Sequence, residues 1–553
     1  MSVLAPPPAP VREDPEALIE EARRRTRRRR LRGGGIAVVL IGGIAALAFF
    51  AGSGGSGGIV TETAGRPFVN VRAFSHDGKL AFISRGSLWV LDGAAGSLRR
   101  VAVTTYTKGF KTVSDLYGHT TRVPEATPVV PGSPTFSHDG RWLAYLVTPQ
   151  TGNDSPSQLW IARADGTDAR RVGHLTVDQL VGWSPTADGL AVTTETPEPF
   201  LYFDAELATK LLLVRPDGAS RTLAAVSATR SRPVQIEDAA WSPDGRAVAA
   251  SLTDGGVRGG GTTVRAYPVS GGRPTTWFSI ATRHALPGAD CGTPSRSCNQ
   301  VIADLAGWWR GWGIGFWVYA DGMSRDNDGA SLAVLSAPGA QPRPVATTLS
   351  DGVTDAVAAG PGGSLAVVAS TTGGRDLGQG KVVESCDTHT HACAPLPGGS
   401  TWTGPDRDRC TYPAGAPCSA PPTPGTAGSA VSLDPAWSPT APLLAYVKAP
   451  YTFDPALPWY AAHELFLWSA RSGSTRMLAD VSGPSAPTWS HDGRDLLYVS
   501  NDGLWLAPVG SGKPVEIEHP LFPEQQWNTI GTTATISYYG QIPWTGQFSW
   551  SSP

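Results

Sequence analysis

Chemistry in this sequence would have to come from a few clusters of tryptophan, arginine, histidine and cysteine. The densest is Trp308-Trp309-Arg310-Gly311-Trp312, placed where other stretches of the chain carry small polar turn residues. Trp308 aligns with an aromatic that recurs along the chain and is expected in the core. That leaves Trp309, Arg310 and Trp312 as candidate ligand-binding residues, because exposed aromatics favour association unless they are covered or used. Two indoles beside a guanidinium suit a sugar ring or a peptide, through stacking and cation–π contact. The rival expectation is that the inserted loop 280–300 folds over them.

His76, His138 and His491 occupy one position of a recurring turn, so they fall on one face of whatever fold the recurrence builds. Imidazoles gathered on one face could hold a metal ion. A histidine standing in for proline in a solvent-facing turn accounts for them as well, and no metal or other cofactor is predicted. His389 and His391 form an HxH pair between Cys386 and Cys393. They could place both imidazoles on one strand face, but are expected in an exposed polar turn.

The six cysteines fall into close pairs, Cys291 with Cys298, Cys386 with Cys393 and Cys410 with Cys418. Three local disulfides are the simplest pairing. Each closes a small loop and should stiffen an insert, stabilising by about 2–3 kcal/mol. No CxxC spacing occurs, so zinc is not expected. The G-x-S-x-G match at Gly54-Gly55-Ser56-Gly57-Gly58 lies in a glycine-serine run, without the strand-turn-helix setting that exposes a nucleophile.

The elements that position these residues follow from a repeat. An aromatic, a Ser-Pro/His-Asp-Gly turn and an apolar strand recur as FSHDGKLAFIS from Phe74, FSHDGRWLAYLV from Phe136, WSPTADGLAVTT from Trp183 and WSPDGRAVAASL from Trp241. They return as WSPTAPLLAYVK from Trp437 and WSHDGRDLLYVS from Trp489, with degenerate copies from Trp308 and Ala359. Asp-Gly supplies the tight turn, glycine through its tolerance of positive φ and aspartate by bonding nearby backbone. A third strand follows each copy, such as LWVLDG from Leu88 or LWLAPVGSG from Leu504, and then a short fourth such as RRVAV from Arg99. Repeated four-stranded units with tight turns describe the blades of a β-propeller. The expected fold is all-β, with about eight four-stranded blades, seven being the alternative count. The segment QFSWSSP, Gln547 to Pro553, reads as one more first strand that would close the ring against blade 1, although Phe74 already offers that blade a first strand.

Composition agrees. The chain has 65 Gly and 48 Pro with only 17% charged residues, which favours turns between short strands over long helices, disorder or coiled coil. A net charge of -2 argues against a nucleic-acid binder, whose affinity needs excess Lys and Arg. Basic charge gathers in residues 1–32, an Arg-rich segment expected on the cytoplasmic side. Residues 33–52 are uncharged and long enough, at about 1.5 Å per residue, for one transmembrane helix. The positive-inside rule then places the rest outside, and an anchor is expected rather than a cleaved signal peptide. Residues 53–66 read as a Gly/Ser linker and 67–553 as the extracytoplasmic propeller.

The WSPDG turn at Trp241–Gly245 and its relatives, followed by an LWV-like strand and a glycine turn, resemble the TolB-type, WD-repeat-like propeller family. The resemblance covers about residues 67–517. It implies a binding scaffold of the cell envelope, in which the aromatic and the turn are structural. An anchor followed by a propeller also resembles the dipeptidyl peptidase and prolyl oligopeptidase group. That group needs an α/β-hydrolase domain, for which only about 35 residues remain after the last blade. The expected function is therefore non-catalytic recognition of an envelope protein or a cell-wall polysaccharide. The alternative is a carbohydrate-active hydrolase or lyase with its site in the propeller channel. Specificity would reside in the inserts Thr104–Gly132, Ala281–Gln300 and Asp387–Ala430.

Overall fold

The computed structural model describes residues 60–61, 65–75, 77–114, 120–149, 157–196, 207–226, 234–254, 261–280, 301–320, 331–345, 349–350, 357–370, 381–397, 430–450, 462–482, 485–500, 503–521 and 546–551. The Arg-rich segment, the apolar run 33–52, the linker up to residue 59, His76, and Cys291, Cys298, Cys410 and Cys418 lie outside them. All described residues belong to one compact unit, within 59–531 and 535–553. They are all-β apart from 3-10 turn residues at Pro361–Gly363 and at Gly546. Among them no helix is long and apolar enough to cross a membrane.

Among the described residues the strands form eight successive antiparallel meanders, each built around the second and third strands read from the repeat. Blade 1 pairs Lys79–Ser84, Ser87–Asp92 and Ser97–Val103. Blades 2 and 3 share one continuous sheet, because the strand Arg170–Trp183 ends blade 2 and begins blade 3. Blade 4 starts at Val234–Trp241, blade 5 at Val301–Trp309, blade 7 at Ala430–Trp437 and blade 8 at Ser485–Trp489. Blade 6 begins with two short pieces, Leu349–Ser350 and Val357–Ala359, both paired to Leu365–Ser370.

Both faces of each blade are buried against neighbours, so the second strands are nearly continuous apolar runs. Alternate residues serve opposite faces. Leu80 and Phe82 enter the core shared by blades 8 and 1, while Ala81 between them enters the core shared by blades 1 and 2. Further cores join blades 2 to 3, 3 to 4 and 4 to 5. One larger core spans blades 5, 6 and 7, and another joins 7 to 8. This closed sequence of interfaces is a β-propeller.

The ring closes through both ends of the described chain. Phe548–Ser551 is the innermost strand of blade 1, with Trp550 opposite Leu80. That is the register in which Trp183 faces Leu190 and Trp489 faces Leu496. The expectation that Phe74 heads blade 1 is thus corrected. Phe74 lies in a turn, fully buried beside Trp550, and Trp550 takes the repeat position. At the other end, Phe68–Val69 adds a fifth strand to the outer edge of blade 8.

Candidate functional site

The recurrent aromatic acts as a rivet between blades. The Trp183 indole N–H donates to the Thr135 carbonyl of blade 2 at 3.0 Å, Trp241 donates to Gly182 of blade 3 at 2.8 Å, and Trp489 to Ala436 of blade 7 at 2.8 Å. In each case the acceptor immediately precedes the aromatic of the preceding blade. A second set of rivets, not foreseen from the sequence, lies on the outer strands. The guanidiniums of Arg170, Arg221 and Arg476 donate to the carbonyls of Pro216, Val269 and Val509 in the following blade. The signal was there, an Arg near the start of each of these outer strands, but nothing local says that it reaches another blade.

The recurrent turns are also self-contained. In blade 4 the Ser242 hydroxyl donates to Asp244 at 2.7 Å, the Arg246 amide donates to the same carboxylate, and the Ala247 amide donates to the Ser242 oxygen. These bonds hold Asp244 below the usual carboxylate range, the Ser242 bond contributing most. Asp492 is lowered in the same way, led by the Arg494 amide. At Asp139 partial burial pushes upward, and the bonds from Ser137 and Arg141 outweigh it, bringing the carboxyl to about 2. His138 and His491 are exposed in such turns.

The tryptophan cluster of blade 5 does not form an exposed platform. Trp308 occupies the core register, opposite Ile314, and packs edge-on against Trp277. Trp309 is half-buried and lies over Gly307 and Gly315, where a side chain on either glycine would collide with its ring. Trp312 is 1% exposed and donates its indole N–H to the Gly363 carbonyl of blade 6 at 2.6 Å. Only Arg310 of the three candidates is exposed. The physical reason lies in blade 6, where Ala359 takes the aromatic position, opposite Leu365, and Gly363 lets the following turn close on the Arg310 backbone, since a Cβ there would sit 2.8 Å from the Arg310 carbonyl; Trp437 of blade 7 packs directly on Gly360.

Of the cysteines, Cys386 and Cys393 face each other across a strand pair and form a disulfide. Between them His391 is half-buried, edge-on to Trp312 with ring centroids 4.9 Å apart, whereas His389 is exposed.

Polar side chains meet across blades near the axis, where the first strands of neighbouring blades contact one another. The register between first and second strands slips in blades 2, 3, 4, 5, 7 and 8, always shortly before the aromatic. Such bulges re-aim side chains. In blade 3 the bulge carries Asp178 and Gln179. The Thr193 hydroxyl donates to Asp178 at 2.8 Å and accepts from the Gln179 amide at 3.0 Å. The Gln179 side chain donates to Asp238 of blade 4 at 3.4 Å, and Gln235 donates to Glu237 beside it.

Asp178 is open to solvent, yet desolvation by surrounding protein raises its pKa, partly offset by the Thr193 bond. Both follow if the carboxyl sits on a concave wall, reachable by water but ringed by protein. Among the described residues no group of three or more His, Cys, Asp or Glu is placed to hold a metal ion. What the wall offers is carboxylates and amides held on rigid strands, able to accept and donate hydrogen bonds, with one carboxyl that keeps its proton longer than usual. This cluster is not legible in the sequence because a two-residue bulge leaves no spacing signature.

Fold and site thus define the class, a β-propeller with a cluster of polar side chains on the first strands of blades 3 and 4. No family model matches the chain. The sequence is 32% identical to Protein HIR1 of Candida albicans over 135 residues, covering 23% of this chain; that match spans only 14% of the HIR1 length. Solved structures with a similar fold include an oligogalacturonate lyase in complex with manganese, 13% identical, covering 76% of this chain and 98% of that one, TM-score 0.38. The β-propeller domain of the Trilobed protease from Pyrococcus furiosus is 10% identical, covering 71% and 99%, TM-score 0.36. Dipeptidyl peptidase 4 of Porphyromonas gingivalis is 9% identical, covering 86% and 61%, TM-score 0.42.

Proposed function

We propose that the chain is a membrane-anchored, eight-bladed, TolB-like recognition scaffold that binds an envelope protein or a cell-wall polysaccharide on the outer side of a membrane. The observation that carries this reading is the wall of Asp178, Gln179, Gln235, Glu237 and Asp238, polar groups fixed on first strands rather than on loops. Fixed geometry lowers the ordering entropy of binding. The outer location is supported by the Cys386–Cys393 disulfide, since such bonds persist in oxidising compartments. The anchor is supported by the uncharged run 33–52 behind its arginine cluster. The full chain in detergent is to be compared with an Asp178→Asn/Glu237→Gln/Asp238→Asn variant in capture of envelope proteins and cell-wall polysaccharide. Loss of a specific partner with unchanged melting temperature is expected. Equal capture by the variant removes the wall from the binding surface.

A second reading, a hydrolase or lyase acting on carbohydrate at the same wall, is favoured by Asp178. A carboxyl that holds its proton above the ordinary range is what a general acid requires. Turnover of polysaccharide that Asp178→Asn abolishes, with binding retained, would establish catalysis over recognition.

A further inference from the structure

The turn between Cys386 and Cys393 does more than join two strands of blade 6. It reaches back over blade 5. The Thr388 side chain fills the space beside Gly311 and Gly363, so that a Cβ on Gly311 would sit 3.3 Å from its methyl. The His391 imidazole stands edge-on to Trp312, 4.9 Å between ring centroids. The seat is tightly specified. The His391 amide donates to the Asp387 carbonyl at 2.7 Å, and His391 adopts φ 56, a left-handed conformation that favours glycine.

The charges around this imidazole are unbalanced. From the outer strand of blade 5, Arg343 places its guanidinium 5.9 Å from the same Trp312 ring. The Asp387 carboxylate in the turn already accepts from the His389 amide, the Thr390 amide and the Thr390 hydroxyl, at 2.8 to 3.0 Å. His389 is the other titratable group of the turn. From the Trp312 turn comes only Arg310, exposed to solvent, and the Gly360–Ser364 turn of blade 6 brings no ionisable group. Nδ1 of His391 is buried without a hydrogen-bond partner.

We propose that the disulfide-closed turn 387–392 is an acid-released clasp, seated on Trp312 while His391 is neutral and lifted when a proton on His391 joins Arg343 against the same indole. Lifting would uncover Trp312 next to Trp309 and Arg310, so that the aromatic platform legible in the sequence becomes a surface available only in acid. Burial, and then the Arg343 charge, lower the His391 pKa. The sign follows: the unfastened turn, with histidine near 6.5, binds the proton more readily than the seated one. The seat is therefore most stable above about pH 6.5 and weakens as pH falls through the lower, seated value.

The test is hydrogen exchange of the full chain, read by mass spectrometry at pH 7.5 and 5.0 after correction for intrinsic rates. Peptides covering 306–316 and 386–393 should lose protection at least about tenfold at pH 5.0, an opening change of one decade, while the Trp183 and Trp241 interfaces hold. His391→Asn, uncharged and tolerant of positive φ, should abolish the pH dependence, and Arg343→Gln should reduce it. His391→Phe keeps the ring contact and guards against loss of fold in the asparagine variant. Equal protection at the two pH values, or a pH dependence that survives in both His391 variants, overturns the clasp.

Discussion

At the scale of single residues, the ring is joined by bonds that each span two blades. Trp241→Phe keeps most of the apolar contact and removes the donor to Gly182. It should lower stability by about 1–2 kcal/mol, seen as a lower urea midpoint at unchanged slope. A larger loss would mean that the phenyl ring repacks poorly. Backbone strain sits close by. Ser133, Asp434 and Ala486 each adopt φ near 50 immediately before a proline, at the bulge of blades 2, 7 and 8. Ala486 has no side-chain bond to repay that conformation, so Ala486→Gly should stabilise by about 0.5–1 kcal/mol despite the added chain entropy. A fall in melting temperature would show that the strain is relieved by packing. None of these bulges announces itself in sequence, because a positive φ at alanine or aspartate follows from closing a ring and not from local preference.

At the scale of the element, the Ser-x-Asp-Gly turn was legible in full, since its residue types and its bonds are the same thing. Its pH behaviour follows. Asp139, Asp244 and Asp492 are lowered in the folded state, so their contribution is complete above the unfolded carboxylate range, about 4, and is lost as pH falls toward their folded values. The melting temperature should therefore drop between pH 5 and pH 2. A triple Asp→Asn variant at these positions should start lower at pH 7 and show a shallower drop, and equal slopes would show that other carboxylates dominate. The disulfide is the second testable element. Cys386→Ser with Cys393→Ser should cost about 2–3 kcal/mol, concentrated in exchange of strands 381–386 and 393–395. The pairing was readable from spacing, but the turn it closes was not. An HxH between two cysteines reads as exposed, and only the neighbouring blade, brought close by Gly363, covers His391. The tryptophan cluster failed for the same reason. Its surroundings come from a degenerate blade whose missing aromatic reads as loss of signal rather than as space.

At the scale of the whole molecule, the repeat gave the second and third strands of every blade, because period-two apolar runs bounded by Asp-Gly or glycine turns admit little else. The ambiguity lay at the seam, where Phe74 and Trp550 both carry an aromatic-Ser signature. The structure resolves it by register, with Trp550 opposite Leu80 and its indole donating to the Asp77 carbonyl. Trp550→Ala should therefore weaken the entire ring, by about 3–5 kcal/mol, and broaden the unfolding transition. A loss confined to blade 1 exchange would indicate that the seven cores do not melt together. The same seam bears on how the protein is made. Some 450 residues of chain separate Val103 from Phe548, and at roughly 5–20 residues per second their synthesis takes about 20–90 seconds. Throughout that time the inner edge of blade 1 is bare, Leu80 and Phe82 lacking their partners from blade 8 and from Phe548, so the earliest blade to emerge is the last to be finished.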